Sequence, residues 1–321
     1  MELFRGYVSI QKPPEKAVVT IGNFDGVHLG HREIFRQTVA QAKRIGGTSV
    51  VFTFRPHPQI ALRPEANISL LQTYDEKLEL LQKRGLDVVI EQPFSREFST
   101  TSPGDFFREV LLRRLSAVAI VVGYDFAFGK GREGGLRSLE EFCKNAGIQL
   151  TVVPPLRLGD TVVSSSQIRR ALAVGQVSEA ARLLGRPFSY RGTVVKGEGR
   201  GRKIGFATAN LKLDSKLVLP YGVYATEAYL TDVDQTFDSV TNVGVRPTFA
   251  EIEHGLGELP ALIETHLLGQ TIDLYGRTLE VRFIDRIRDE RKFSGIEALK
   301  SQIGDDVKAA AHILQKSRGA S

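Results

Sequence analysis

GNFDGVHLGH, residues Gly22 to His31, decides how this chain is read, because it sets three glycines and two histidines between an apparent strand and an apparent helix. The strand is AVVTI, Ala17 to Ile21, a continuous apolar and β-branched run of the kind buried on both faces of a parallel sheet. The helix starts near Gly30, carries Ile34, Phe35, Val39, Ala42 and Ile45 at helical spacing, and stops at Gly46 and Gly47. Glycines let a backbone approach an anion closely, and the amides and positive dipole end of a helix N-terminus favour negative charge. The junction therefore predicts a phosphate site with His28 and His31 as directed donors. A metal site is the competing reading of two histidines. Zinc needs three or four N, S or O ligands, no cysteine is near, and Asp25 is the one close carboxylate.

A chain of 321 residues suffices for two cores. Its net charge of +6, with no basic tail, suits polyphosphate ligands. It lacks the concentrated basic stripe that nucleic-acid binding requires. Neither MELFRGYVSI nor any other stretch offers the ~18 uninterrupted apolar residues of a spanning segment. No membrane partner is expected, and the cytoplasm is the expected compartment. The single cysteine, Cys143, excludes an intramolecular disulfide and reads as a small core residue of the helix SLEEFCKNAG.

Up to about residue 186, strands and helices alternate. SVVFTF is followed by a helix with a Thr73/Glu76 capping box that Gly85 ends, then by the strand DVVIE. Ser102 and Pro103 open the next helix, which leads to AVAIVV, and a helix closed by Gly147 leads to IQLTVV. This alternation predicts an α/β domain with a parallel sheet and ligands at the carboxyl ends of its strands. After two short helices and the linker GRPF, the pattern changes to β segments without helices between them: YRGTVVK, GVYATEAYL, SVTNVG, ALIETHLL and LEVRFID. They predict a closed antiparallel barrel. The chain ends on an amphipathic helix with a Ser294/Glu297 capping box and an apolar stripe of Ile296, Leu299, Ile303, Val307, Ala310 and Leu314. The expected domains are residues 1–186 and 187–321.

GNFDGVHLGH resembles the HxGH signature of the nucleotidyltransferases, in the form carried by prokaryotic bifunctional riboflavin kinase/FAD synthetases. FTFRPHP (Phe52 to Pro58), GYDFAFGKGREG (Gly123 to Gly134) and VSSSQIRRAL (Val163 to Leu172) are similar to further segments of that family's first half. GEGRGRKIGFATANL (Gly197 to Leu211), NVGVRPTF (Asn242 to Phe249), IETHLL and DLYG resemble its kinase half. The resemblance implies a Rossmann-like N-terminal FMN adenylyltransferase domain and a C-terminal β-barrel riboflavin kinase domain. Riboflavin, FMN, FAD and ATP would be its small-molecule partners and Mg2+ its metal.

The same resemblance assigns His28 and His31 to the ATP phosphates, with Ser164, Ser165 and Arg169 closing over the β and γ positions. Gly22, Asn23, Phe24 and Asp25 form the loop, His57 the flavin and nucleotide side, and Asp125 an orienting group for ribose or FMN. In the kinase half, Gly197, Gly199 and Gly201 would approach ATP, Asn242 would line the site, and Thr208 and Asn210 would hold magnesium through hard oxygens. Glu264 would be the general base, since a riboflavin hydroxyl is a poor nucleophile until its proton is accepted.

Three departures stand out. Ser166 replaces the family's threonine, Ala207 replaces the proline of its PTAN segment, and the stretch Glu251 to Pro260 matches nothing in the family. Three alternatives stay open: one working half, another HxGH nucleotidyltransferase with an accessory barrel, or a flavin-binding protein without turnover.

Proline fixes φ near about −65°. Ala207→Pro is therefore expected to leave the reaction unchanged while raising turnover or loop order in a steady-state kinase assay. Lower turnover in a folded variant would count against that account.

Overall fold

The computed structural model describes residues 1–66, 68–197, 201, 204–213, 219–245, 261–270 and 272–319. The chain divides into two compact units, Met1–Ser165 and Ser166–Ser321. Gly199, the end of NVGVRPTF and the stretch Glu251 to Pro260 lie outside the described residues.

The first unit is built on a six-stranded parallel sheet of β1 (Glu2–Arg5), β2 (Ala17–Ile21), β3 (Ser49–Arg55), β4 (Val88–Pro93), β5 (Ala117–Gly123) and β6 (Gln149–Val153). The spatial order is β1-β4-β3-β2-β5-β6. All five residues of β2 are buried, as a strand flanked on both edges and covered on both faces requires. From β2 the sheet is laid down toward β3 on one side and β5 on the other. The loop leaving β2 therefore sits at the topological switch point, where such sheets bind ligands.

α1 (Leu29–Ile45) begins with His28 as its N-cap and ends at Gly46, whose left-handed φ of 60° lets its amide reach back to Ala42 and Lys43. Its Phe35 is fully buried against Phe24, with ring centroids 4.7 Å apart. α2 (Pro58–Leu62) is short, and α3 (Tyr74–Gln82) carries the expected Thr73/Glu76 capping box. α4 starts as Pro103–Asp105 and then continues as a π-helix over Phe106–Arg114, with the amide of Leu115 bonded to the carbonyl of Val110. The sequence predicts an ordinary helix here. The wider turn keeps Phe106, Phe107, Val110, Leu111 and Leu115 all in the core. Cys143, on α5 (Leu136–Ala146), is buried, and burial pushes its thiol up to about 11, which makes it inert as a nucleophile. A two-stranded ribbon, β7 (Arg157–Leu158) with β8 (Thr161–Val162), leads the chain to Val163–Ser165.

In the second unit, α6 (Ser165–Ala173) and α7 (Val177–Leu184) precede a closed antiparallel barrel. Its strands are β9 (Phe188–Val195), β10 (Ala209–Leu213), β11 (Gly222–Leu230), β12 (Gln235–Val245), β13 (Ala261–Leu267) and β14 (Thr278–Asp289), in the order β10-β13-β12-β11-β14-β9. The fully buried Thr226, Ser239, Thr241 and Thr265 satisfy one another, with oxygens 2.7–3.0 Å apart.

The terminal helix (Ile296–Gly319) lays Val307, Ala310, Ile313 and Leu314 against Val223, Ala225 and Val240 on the outside of the barrel. Two expectations about it are corrected. The helix begins with the carbonyl of Gly295 receiving the amide of Leu299, so Ser294 and Glu297 fall one residue out of the N-cap and N3 register that a capping box needs. Ile296 is 65% exposed and stands off the stripe.

Phe35→Ala empties a fully buried site beside Phe24. It is expected to cost about 3–5 kcal/mol of unfolding free energy, read as a lowered denaturation midpoint.

Candidate functional site

The loop between β2 and α1 is wound through backbone that side chains rarely adopt. Phe24 has φ 51°, Gly26 φ 86° and Val27 φ 41°. A Cβ on Gly22 would lie 2.8 Å from the Phe24 ring, so that ring folds back over a position only glycine leaves open. The loop is braced by side chains from elsewhere in the unit. Thr53 Oγ1 donates to the carbonyl of Asn23 (3.3 Å) and Gln72 Nε2 to that of Phe24 (3.1 Å). The amide of Leu71 donates to Asp25 Oδ1 (3.0 Å), and Ser165 Oγ to the carbonyl of Asp25 (2.8 Å). The backbone at Val163 lies 3.6 Å from where a Cβ on Gly30 would be, so the VSS segment rests on the start of α1.

His28 Nδ1 accepts the amide of His31 at 3.3 Å, which leaves the proton of neutral His28 on Nε2. The two imidazoles stack with centroids 3.5 Å apart and planes 20° apart, and the edge of Phe24 packs on His31. Burial first, and the neighbouring His28 second, hold His31 well below the ordinary histidine pKa. His31 Nδ1 is enclosed without a partner among the described residues. Both imidazoles thus stand at the start of α1, and His31 is held toward its neutral form.

The remaining residues predicted for this half lie on several elements. Asp125 is exposed on the turn after β5, beside a stacked pair of rings, Phe126 and Phe128. His57 is buried, accepts the amide of Gln59 through Nδ1 and donates its own amide to Tyr74 Oη. Ser164 is half-buried beside Ser165, and Arg169 lies on α6 in the second unit. The sequence reading missed Gln72, Tyr74 and Lys77. One signal for the last was available: Lys77 stands four residues before the buried Leu81, on the apolar stripe of α3.

In the second unit a cavity of about 910 Å³ lies between the outer face of the barrel and the terminal helix. Asn210, Glu264 and Asn242 are register partners across β10, β13 and β12 and line one wall. Thr208 stands at the entry to β10, and Gly197 packs on the Asn210 amide so closely that a Cβ would lie 2.3 Å from Nδ2. A Cβ on Gly201 would meet the carbonyl of Phe206 at 2.2 Å. His266 Nδ1 is 2.8 Å from the carbonyl of Ala207, and since a carbonyl only accepts, Nδ1 carries the proton. Across the cavity, Arg288 grips Asp306 of the terminal helix at 2.7 and 2.8 Å. Hydroxyl, amide and carboxylate oxygens on one wall suit a hard divalent cation that takes one or two protein ligands and fills its shell with water and phosphate. Among the described residues there is no cluster of three or more His, Cys, Asp or Glu that would build an all-protein metal cage.

Residues 10–167 match the FAD synthetase family and residues 184–314 the riboflavin kinase family. The bifunctional riboflavin kinase/FMN adenylyltransferase of Escherichia coli K12 is 36% identical over 307 residues, covering 95% of this chain and 96% of that one. The protein of the same name from Bacillus subtilis is 35% identical over 312 residues, covering 96% of each chain. A solved structure from Streptococcus pneumoniae, titled macrolide-efflux protein, aligns with a TM-score of 0.85 at 31% identity over 96% of this chain and 98% of its own.

A histidine whose folded pKa is lowered binds fewer protons than in the unfolded chain. Its contribution is fully present above the ordinary value near about 6.5 and is lost as pH falls from there toward the folded pKa. His31→Gln is expected to flatten the fall in melting temperature between about pH 7 and pH 5. Identical slopes in the two proteins would place that proton uptake elsewhere.

Proposed function

The chain belongs to the family of bifunctional riboflavin kinase/FMN adenylyltransferases, and on that premise we propose how its residues divide the two reactions. It is a transferase that uses ATP twice, first to phosphorylate riboflavin to FMN and then to adenylylate FMN to FAD. The adenylyltransferase is assigned to residues 1–186 and the kinase to 187–321. The cytoplasm is the proposed compartment, in keeping with the fact that no helix among the described residues is long and apolar enough to cross a membrane.

The observation that carries the kinase assignment is the alignment of Asn210, Glu264 and Asn242 across three adjacent strands on one cavity wall. Glu264 takes the proton of the riboflavin 5′-hydroxyl as that oxygen bonds to the γ-phosphorus of ATP and ADP leaves. Thr208 and Asn210 would hold Mg2+, which when bound would neutralise charge on the phosphates. Gly197 and Gly201 let the backbone approach the same phosphates.

In the adenylyltransferase, an FMN phosphate oxygen bonds to the α-phosphorus of ATP and pyrophosphate leaves. The nucleophile is already an anion, so alignment and charge stabilisation replace a base. His28 and His31 donate to the ATP phosphates. Ser164 and Arg169 close on the β and γ positions. Ser165, whose hydroxyl is committed to Asp25, is better read as the tie between segments than as a phosphate donor. Asp125 orients ribose or FMN, His57 borders the flavin, and Gly22, Asn23, Phe24 and Asp25 hold the loop.

With Mg-ATP and either riboflavin or FMN, and products separated by chromatography, Glu264→Ala is expected to abolish FMN formation and leave conversion of FMN to FAD. His28→Ala is expected to slow FAD formation by about 10²–10³ and spare FMN formation. Loss of both reactions in folded Glu264→Ala would undo the division of sites.

A further inference from the structure

We propose that Lys77 is a substrate-binding residue of the adenylyltransferase half, its ammonium holding one oxygen of the phosphate monoester of FMN. This rests on the adenylyl-transfer reading above. Lys77 is only 4% exposed and sits on α3 behind the loop that ends at His28. Two of its three N–H donors are used, on Thr53 Oγ1 (3.1 Å) and the carbonyl of Phe54 (3.3 Å). Thr53 in turn holds the carbonyl of Asn23, so the ammonium is fixed to the phosphate loop through one hydroxyl.

Lys77 lines a small recess with Asn23, Asp25, Phe54, His57 and Tyr74. The recess holds about 10 Å³, room for a single oxygen atom rather than a whole phosphate. Two cations flank the Tyr74 ring, Arg55 at 4.8 Å and Lys77 at 5.3 Å from its centroid. Arg55 is engaged by Glu91 (3.7 Å) and Asp75 (4.0 Å). Lys77 has no carboxylate within ion-pair distance among the described residues, and Asp25 attracts it only from farther away.

A brace for Thr53 and Phe54 would need no charge, and burying an ammonium without a counter-ion is costly. That cost shows in Lys77 itself, which burial brings down to about 8 despite the attraction of Asp25. A phosphate oxygen entering the recess supplies the missing counter-ion. The ligand is FMN rather than ATP because Phe54, on the recess wall, also belongs to an aromatic cluster with Phe94 and Phe98. A flavin ring finds stacking partners there, on the β3 side of the loop and away from the first turn of α1.

The test is steady-state FAD synthesis from FMN by the full chain. Lys77→Met is expected to raise the FMN KM by about 10–100-fold, the loss of one charge-assisted hydrogen bond, with the ATP KM nearly unchanged. Riboflavin phosphorylation by the same preparation reports its integrity. The wild-type FMN KM should rise above about pH 8 as Lys77 loses its proton, and this rise should vanish in Lys77→Met. Asp25, Tyr74 and His57 line the same recess, Arg55 lies over the Tyr74 ring, and all four remain in both proteins, so the difference isolates Lys77. An unchanged FMN KM, a rise in the ATP KM alone, or a fall in kcat alone would overturn the proposal. Should the variant not fold, a flat wild-type FMN KM from about pH 7 to 9.5 would do so. A wild-type chain that makes no FAD from FMN would instead remove the reading on which the proposal rests.

Discussion

The first unit depends on one constraint: the chain must leave a strand buried on every residue and begin a helix directly above it, with the helix amides still facing the ligand side. Positive φ values at Phe24, Gly26 and Val27 meet it, and at Phe24 and Val27, which carry side chains, each costs of order 1–3 kcal/mol. Four hydrogen bonds from Thr53, Leu71, Gln72 and Ser165 offset that strain. They arrive from three separate stretches of chain, so the loop geometry is a property of the whole unit rather than of its ten residues.

The two halves place different electrostatics around phosphate, and the nucleophile explains why. On the proposed division an FMN phosphate brings its own charge, so the first half needs directed donors and a helix terminus rather than a base. A riboflavin hydroxyl brings a proton that must go somewhere. On the same proposal the second half uses Glu264, a carboxylate whose register partners on either side are Asn210 and Asn242.

How legible these features were depended on whether the signal was local. The capping box of α3, the glycine stop of α1 and the buried run of β2 are written in adjacent residues, and each appears where the sequence places it. β1 and β10, with 4 and 5 residues, are too short to show a period, and β10 sits inside a motif that reads as a glycine-rich loop. Ser294 and Glu297 have capping-box spacing, but the tertiary seat of the terminal helix sets its start at Ile296 and overrides it. Lys77 shows in the sequence only as a charge on the apolar stripe of α3, and only the folded unit shows that no carboxylate among the described residues lies within ion-pair distance of it. Glu264 was found from the ETH segment, whereas its two register partners became neighbours only through strand pairing.

Register is what connects the kinase chemistry to the barrel core. Side chains alternate along β13, so Ile263, Thr265 and Leu267 are buried while Glu264 and His266 are partly exposed toward the cavity. A slip of one residue would turn Glu264 into the barrel, where an unpaired carboxylate costs several kcal/mol. It would also turn Thr265 out of the hydroxyl ladder it shares with Thr241 and, through Thr241, with Thr226. Those buried hydroxyls satisfy one another in the native pairing. By penalising every neighbouring register, they hold Glu264, the proposed base, in one row with Asn210 and Asn242.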